Sequence, residues 1–316
     1  MDLRRFLKVS LAGVLAAALA VGCGGDSEEG SGEALAEDQP IQATVTTNII
    51  GDLVEQVGGD DVEVTALMGP GVDPHLYNAS QGDVSALQDA DVVFYNGLFL
   101  EGQMQDILVQ VGQDSPTVQV TGNVPEEELL ESEDYEDQFD PHVWFDLDLW
   151  QTAVDPVVEQ LSELRPDAAE DFEQRGEEYQ QELEEADTFV EESISSILEE
   201  QRVLVTAHDA FRYFGERYGI EVQGLQGIST DAEVGSGDVQ EVADFLAERE
   251  IGAIYSETSV PPRGIESVQA ATQDRGWDVE IGGELYGDAL GEPGTATGTL
   301  AGAMRQNAEI IEEGLT

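Results

Sequence analysis

Short runs of apolar and β-branched residues recur along the chain, and each is followed by a stretch whose apolar positions repeat at three and four. In the first half, positions 41–47, 62–68, 91–96 and 117–120 predict strands, with helices over 49–57, 81–89 and 103–111. In the second half, 202–206, 221–225, 253–256 and 279–281 predict strands, alternating with helices over 211–218, 239–250, 265–274 and 299–312. Strands that stay apolar instead of alternating, joined through helices, predict parallel sheets covered on both faces. Each half therefore reads as its own small α/β unit.

Between the halves runs the longest helical pattern. Arg165-Pro166-Asp167 supplies a start, with Pro at an early helical position. Phe172, Tyr179, Leu183, Ala186, Val190, Ile194 and Ile197 then recur at steps of seven, four, three, four, four and three, opposite a heavily acidic face. A helix of about 30 residues is about 45 Å long, enough to join two lobes. The other reading, a coiled-coil arm, lacks a second segment of this kind to pair with.

The N-terminus points to a compartment. Arg4, Arg5 and Lys8 precede an apolar run over 9–21, the length of a signal-peptide core and too short to span a membrane as a mature helix. It ends in Ala20-Val21-Gly22-Cys23, similar to a bacterial lipobox except that Ala stands where Leu is usual. Cys23 is the only cysteine, which excludes a structural disulfide and leaves lipidation at the mature N-terminus as the expected role. The expected organisation is a signal peptide over 1–22, a flexible tether over 23–40, an N-terminal lobe over 41–165, a linking helix over 166–198 and a C-terminal lobe over 199–316. The protein is expected to be an extracytoplasmic, membrane-anchored monomer.

Charge narrows the partners. The formal net charge is -56; removing residues 1–22 takes away three basic residues and one acidic residue and moves it to -58. Phosphate would be repelled, so nucleic acid is excluded as a partner. Lys8 is the only lysine in the chain, and acid enrichment runs along its whole length. That pattern reads as adaptation to high salt, where a Debye length of about 3 Å screens self-repulsion. The acidic stretch 125–140, including Glu126, Glu127, Glu128, Glu131, Glu133, Asp134, Glu136 and Asp137, reads as a solvated loop just before His142. A role in collecting cations is the alternative.

The chain holds three histidines, each in a distinctive setting: Asp73-Pro74-His75-Leu76-Tyr77, Asp140-Pro141-His142-Val143-Trp144 and Thr206-Ala207-His208-Asp209-Ala210. Neutral imidazole is the commonest nitrogen ligand of transition metals. No short-range metal signature is present, neither His-Glu-x-x-His nor paired cysteines nor a calcium loop. Spacing alone leaves two readings open: three separately packed core histidines, or one site assembled from distant segments.

Read together, these segments resemble the motifs of a known family. Asp-Pro-His-Leu-Tyr at 73–77 and Asp-Pro-His-Val-Trp-Phe-Asp-Leu-Asp-Leu-Trp at 140–150 look like its first two ligand motifs. Val-Leu-Val-Thr-Ala-His-Asp-Ala-Phe-Arg-Tyr-Phe-Gly at 203–215 is similar to the third, and Gly-Leu-Gln-Gly-Ile-Ser-Thr follows at 224–230. Gly-Gly-Glu-Leu-Tyr-Gly-Asp-Ala-Leu-Gly at 282–291 is similar to the fourth. The family is that of the metal-binding substrate-binding lipoproteins of zinc and manganese ABC importers, the cluster-9 or TroA-like group. The resemblance covers residues 41–316 in the family's order.

It implies an α/β fold of two lobes, each with a small, mostly parallel sheet flanked by helices, bridged by one long backbone helix. It also implies one Zn2+ or Mn2+ ion held as cargo by His75 and His142 from the first lobe and His208 and Asp288 from the second, with an ABC permease and its ATPase as partners. Such a ligand set suits zinc, and suits manganese if the carboxylate binds through both oxygens. Zinc-dedicated members often carry a His-rich loop between the first two motifs, absent here; manganese-dedicated members often have Glu where His208 stands. The metal therefore stays open. The alternatives are a secreted zinc-dependent hydrolase, for which no general base or open coordination position is evident, and a cell-surface adhesion lipoprotein, which explains none of the histidines. The expectation is a capture protein and not an enzyme.

Overall fold

The computed structural model describes residues 39–132, 135 and 138–316. The leader, Cys23 and most of the tether lie outside the described residues, as do Glu133, Asp134, Glu136 and Asp137 of the acidic run. The first half comprises β1 (Ile41–Thr47), α1 (Asn48–Gly58), β2 (Val62–Met68), α2 (Gln81–Asp89), β3 (Val92–Tyr95), α3 (Gln105–Val111) and β4 (Thr117–Gln119). All pairings are parallel, in the order β2-β1-β3-β4. Central β1 is buried on both faces except at Gln42, with three threonines buried among its apolar residues, whereas edge strand β2 exposes Glu63, Thr65 and Ala66. Thr47 Oγ1 accepts from Ile50 N at 3.3 Å and so starts α1 directly after β1. Ser80 and Asp83 cap each other's backbone at the start of α2.

Two helices, α4 (Leu147–Trp150) and α5 (Val154–Leu164), lead to α6 (Ala169–Ser196). Pro166 opens a 3-10 turn, Pro166–Ala168, which runs straight into α6. The 28 residues of α6 make it about 42 Å long at about 1.5 Å per residue. Its predicted stripe is buried from Phe172 to Ile194, and Ile197 adopts extended backbone and ends it. The helix packs on α1, α4 and α5 from the first half.

The second half contains β5 (Val203–His208), α7 (Arg212–Tyr218), β6 (Glu221–Gln226), α8 (Ser236–Arg249), β7 (Ala253–Glu257), α9 (Arg263–Asp274), β8 (Glu280–Leu285) and α10 (Leu300–Leu315). Here the expected sheet is two parallel pairs, β5 with β6 and β7 with β8. Strands β5 and β7 lie side by side and are buried along their whole length. Helices α7 and α10 both reach α6, so that one helix touches both lobes. Strand β8 extends further than its apolar residues suggest. A Cβ at Gly282 would lie 2.8 Å from Tyr255 Cε1, and one at Gly283 2.5 Å from Ile310 Cγ2; the glycines let β7 and α10 close on the strand.

The largest apolar cluster crosses between the halves. It includes Ile41 and Val45 of β1, Phe172, Leu183 and Val190 of α6, and Leu300, Met304 and Ile311 of α10. Fully burying each large side chain of this kind stabilises the fold by about 1.5–3 kcal/mol. Phe145 and Phe211, one from each half, stack at 4.2 Å between ring centroids. No helix of the described residues is long and apolar enough to cross a membrane.

Candidate metal centre

Parallel strands that start together also end together, and their carboxyl ends form a crevice. His208 is the last residue of β5, Glu257 is the last of β7, and Asp288 follows β8 by three residues. His75 lies in the loop after β2, and His142 lies in the segment before α4. The fold brings these histidines and Asp288 into one cluster whose ligand atoms all lie within 4.8 Å of one another. His142, His208 and Asp288 are at most 1% exposed, and His75 is 5% exposed.

Three imidazole Nε2 atoms face one carboxylate. Asp288 Oδ2 lies 3.2 Å from His208 Nε2 and 3.5 Å from His75 Nε2, and Oδ1 lies 3.4 Å from His142 Nε2. His75 Nε2 and His142 Nε2 are 3.3 Å apart. Neither Asp288 oxygen has a hydrogen-bond partner. A buried carboxylate without a donor costs several kcal/mol unless a cation meets it.

Two of the rings meet a carboxylate from behind, and His75 is held by its backbone. In the two Asp-Pro-His segments the aspartate accepts from the histidine's backbone N–H, at 2.9 Å for Asp73 Oδ1 to His75 and 3.0 Å for Asp140 Oδ1 to His142. Asp140 Oδ1 also meets His142 Nδ1 at 2.7 Å, which leaves Nε2 for the cluster. Asn96, the residue after β3, donates from Nδ2 to Pro141 O at 3.0 Å and fixes the same segment. Glu257 serves His208 with two oxygens: Oε1 accepts from its backbone N–H at 2.9 Å, and Oε2 lies 2.8 Å from Nδ1. The Nδ1–Oε2 contact is close but off the line of a straight hydrogen bond. Across the crevice mouth, Thr230 Oγ1 donates to Asp73 Oδ2 at 2.6 Å.

Burial pushes the His75 imidazole down to about 3, against a smaller upward pull from Asp288. Burial also opposes charge on His142, but Asp140 and Asp288 reverse this and bring it to about 9. His208 is likewise raised well above its ordinary value, with Glu257 and then Asp288 overcoming burial. Burial alone would raise Asp288; the His208 and His142 rings hold it well below the usual carboxylate range. The pocket is arranged to hold positive charge.

The model of the family described as "Zinc-uptake complex component A periplasmic" matches residues 44–314. The chain belongs to this family. It is 46% identical over 306 residues to the manganese-binding lipoprotein MntA of Bacillus subtilis (strain 168), an alignment covering 96% of this chain and 98% of that one. It is 45% identical over 282 residues to the zinc-binding protein TroA of Treponema pallidum (strain Nichols), covering 89% and 91%. The solved structure of the periplasmic zinc-binding protein TroA from Treponema pallidum superposes with a TM-score of 0.85 at 43% identity, covering 88% of this chain and 99% of that one. The two-lobed α/β architecture is thus that of the family.

Sequence reasoning placed the four clustered residues through their motifs but did not single out the groups that aim them. For Asp73 and Asp140 a signal existed, since Asp stands two residues before His in both segments and an aspartate there readily accepts the backbone N–H. Glu257 carries no local signature, and Thr230 closes the 224–230 motif without any sign of its bond to Asp73.

Proposed function

We propose that this protein captures a divalent transition metal, Zn2+ or Mn2+, one ion per chain, outside the cytoplasm and delivers it to an ABC permease driven by its ATPase. His75, His142, His208 and Asp288 are the ligands. The observation that carries this reading is the Asp288 carboxylate, whose two buried, unpartnered oxygens face three imidazole Nε2 atoms. Residues 41–165 and 199–316 act as the two lobes and 166–198 as the link between them. Lipid at Cys23 anchors the monomer to the membrane.

Capture fits the geometry better than catalysis. Four protein ligands in a buried cluster leave no evident place for a metal-bound water and its substrate, which a hydrolase requires. The choice of metal stays double. Relatives of nearly equal identity are named for manganese and for zinc, and a carboxylate with both oxygens free can bind through one or both. For any nitrogen and oxygen donor set the stability order places Zn2+ above Mn2+, so zinc binds more tightly in vitro.

The test is metal analysis of the mature chain purified without chelator, followed by competition titration. One ion per chain, and losses of at least about tenfold (about 1.4 kcal/mol) on alanine substitution at each ligand, are expected. Two of the four variants with unchanged affinity would refute the shared site. Manganese displacing zinc at equal free concentration would overturn the affinity order.

A further inference from the structure

Asp288 reaches the site on a loop, and three side chains hold that loop along residues 286–290. Asn307 of α10 takes both backbone groups of Tyr286: Oδ1 accepts from its N–H at 2.9 Å, and Nδ2 donates to its carbonyl at 2.8 Å. Trp144 Nε1 donates to Gly287 O at 3.3 Å. Asn48 repeats the two-bond arrangement at the far end, its Oδ1 accepting from Leu290 N at 3.0 Å and its Nδ2 donating to Leu290 O at 3.1 Å. Such an amide replaces one rung of a sheet and fixes the height and rotation of the backbone it grips.

Asn307 comes from the same half of the chain as Asp288. Asn48 comes from the other half, 242 positions away. It is the first residue of α1, at a corner made rigid by the Thr47 cap and by Ile49 and Ile50, each 1% exposed. One turn further along α1, Asp52 Oδ2 accepts from Leu300 N at 2.9 Å, a second grip by α1 on the other lobe. Of these two grips by α1, only that of Asn48 lies within two residues of the ligand carboxylate; Trp144, also from the first half, adds a single bond at Gly287 on its other side.

We propose that Asn48 is a positioning residue for Asp288: by holding Leu290 from the opposite lobe, it sets the carboxylate against the histidines and couples lobe closure to completion of the metal site. The inference rests on the capture reading. When the lobes part, the Asn48–Leu290 bridge and the ligand sphere come apart together. Without the bridge, Asp288 stays on its loop but is no longer set to the geometry that the three rings require, and metal leaves faster.

The experiment is a double-mutant cycle on the mature chain with wild type, N48A, D288A and N48A/D288A. Zn2+ affinity is measured by competition with a chromophoric chelator, and Co2+ absorption spectra report the ligand field. N48A is expected to weaken Zn2+ about tenfold when Asp288 is present and less than about twofold when it is absent, a coupling of about 1 kcal/mol. Its Co2+ spectrum is expected to move toward that of D288A. N48D retains an acceptor for Leu290 N–H but sets a carboxylate against Leu290 O, and is expected to show the same coupling; it decides the matter if N48A does not fold. Equal losses in both backgrounds, or an unchanged affinity and Co2+ spectrum in N48A, would overturn the proposal. A wild-type chain that takes up no Zn2+, Mn2+ or Co2+ refutes the capture reading itself, a result separable from wild type that binds while the Asn48 variants show no coupling.

Discussion

Glu257 and Asp140 both stand behind a histidine, yet neutralising them is expected to have unequal effects. Glu257 divides its work between two oxygens, Oε1 on the His208 backbone N–H at 2.9 Å and Oε2 beside Nδ1 at 2.8 Å. In Glu257→Gln one of these oxygens becomes an NH2 group, which must face either the backbone N–H or the ring Nδ1. If it faces the ring, Nδ1 has to accept and the proton moves to Nε2, the atom needed by the metal. If it faces the backbone, a buried N–H loses its acceptor, which costs about 1–3 kcal/mol. Asp140 serves both His142 groups with the single atom Oδ1, at 3.0 and 2.7 Å. In Asp140→Asn that oxygen survives, and the new NH2 takes the place of Oδ2, which has no hydrogen-bond partner and only a loose ion pair with Arg212 at 3.7 Å. Outer partners of metal ligands are typically worth about 10–100-fold in affinity. E257Q is therefore expected near a hundredfold loss and D140N near tenfold or less, on the same scale. Zn2+ competition at neutral pH, with thermal unfolding of the metal-free variants as a control on folding, measures both. Equal losses, or a larger loss in D140N, would refute the assignment of these two roles.

Three further outcomes are expected. Burial raises Asp52 to about 6 from 3.8, against opposing hydrogen bonds from Leu300, Gln56 and Tyr179. Its folded form therefore holds a proton more tightly than its unfolded form, so its contribution to stability falls as pH rises from about 4 to about 6. Relative to Asp52→Asn, the metal-free wild type should lose about 2 kcal/mol between pH 4 and pH 7 in denaturant unfolding, and a pH-independent difference would count against it. The chain of formal charge -56 should melt at a higher temperature in molar KCl than at low salt, and a flat or falling midpoint would argue against the salt-adapted reading. Cys23→Ser should move the protein from the membrane to the soluble fraction, whereas mass spectrometry finding an unmodified Cys23 at the mature N-terminus would end the anchor proposal.

Much of the architecture was legible because it rests on local periodicity. The stripe from Phe172 to Ile194 and the apolar, β-branched runs of β1, β5 and β7 are statements about which faces are buried, and burial patterns appear directly in sequence. Where local cues compete, the reading stops short. Helix α5 is not among the helices that the periodicity predicts; its Pro156 sits in the first turn, where a missing N–H costs nothing. The apolar pattern of β8 ends at Ile281, whereas the strand runs on to Leu285 through Gly282 and Gly283, which serve close packing against Tyr255 and Ile310.

The sequence by itself determined the donor types, three imidazoles and a carboxylate in motifs that resemble a family, and left open whether they converge. Only the tertiary structure decided that His75, His142, His208 and Asp288 share one buried cluster, that both Asp288 oxygens face it, that Glu257 bonds the His208 backbone, and that Asn48 bonds Leu290 near Asp288. The reason is physical. A ligand's identity is a property of one residue, whereas its distance to the next ligand is set by the ends of parallel strands in two lobes, and a contact across 242 positions leaves no periodic trace in the chain.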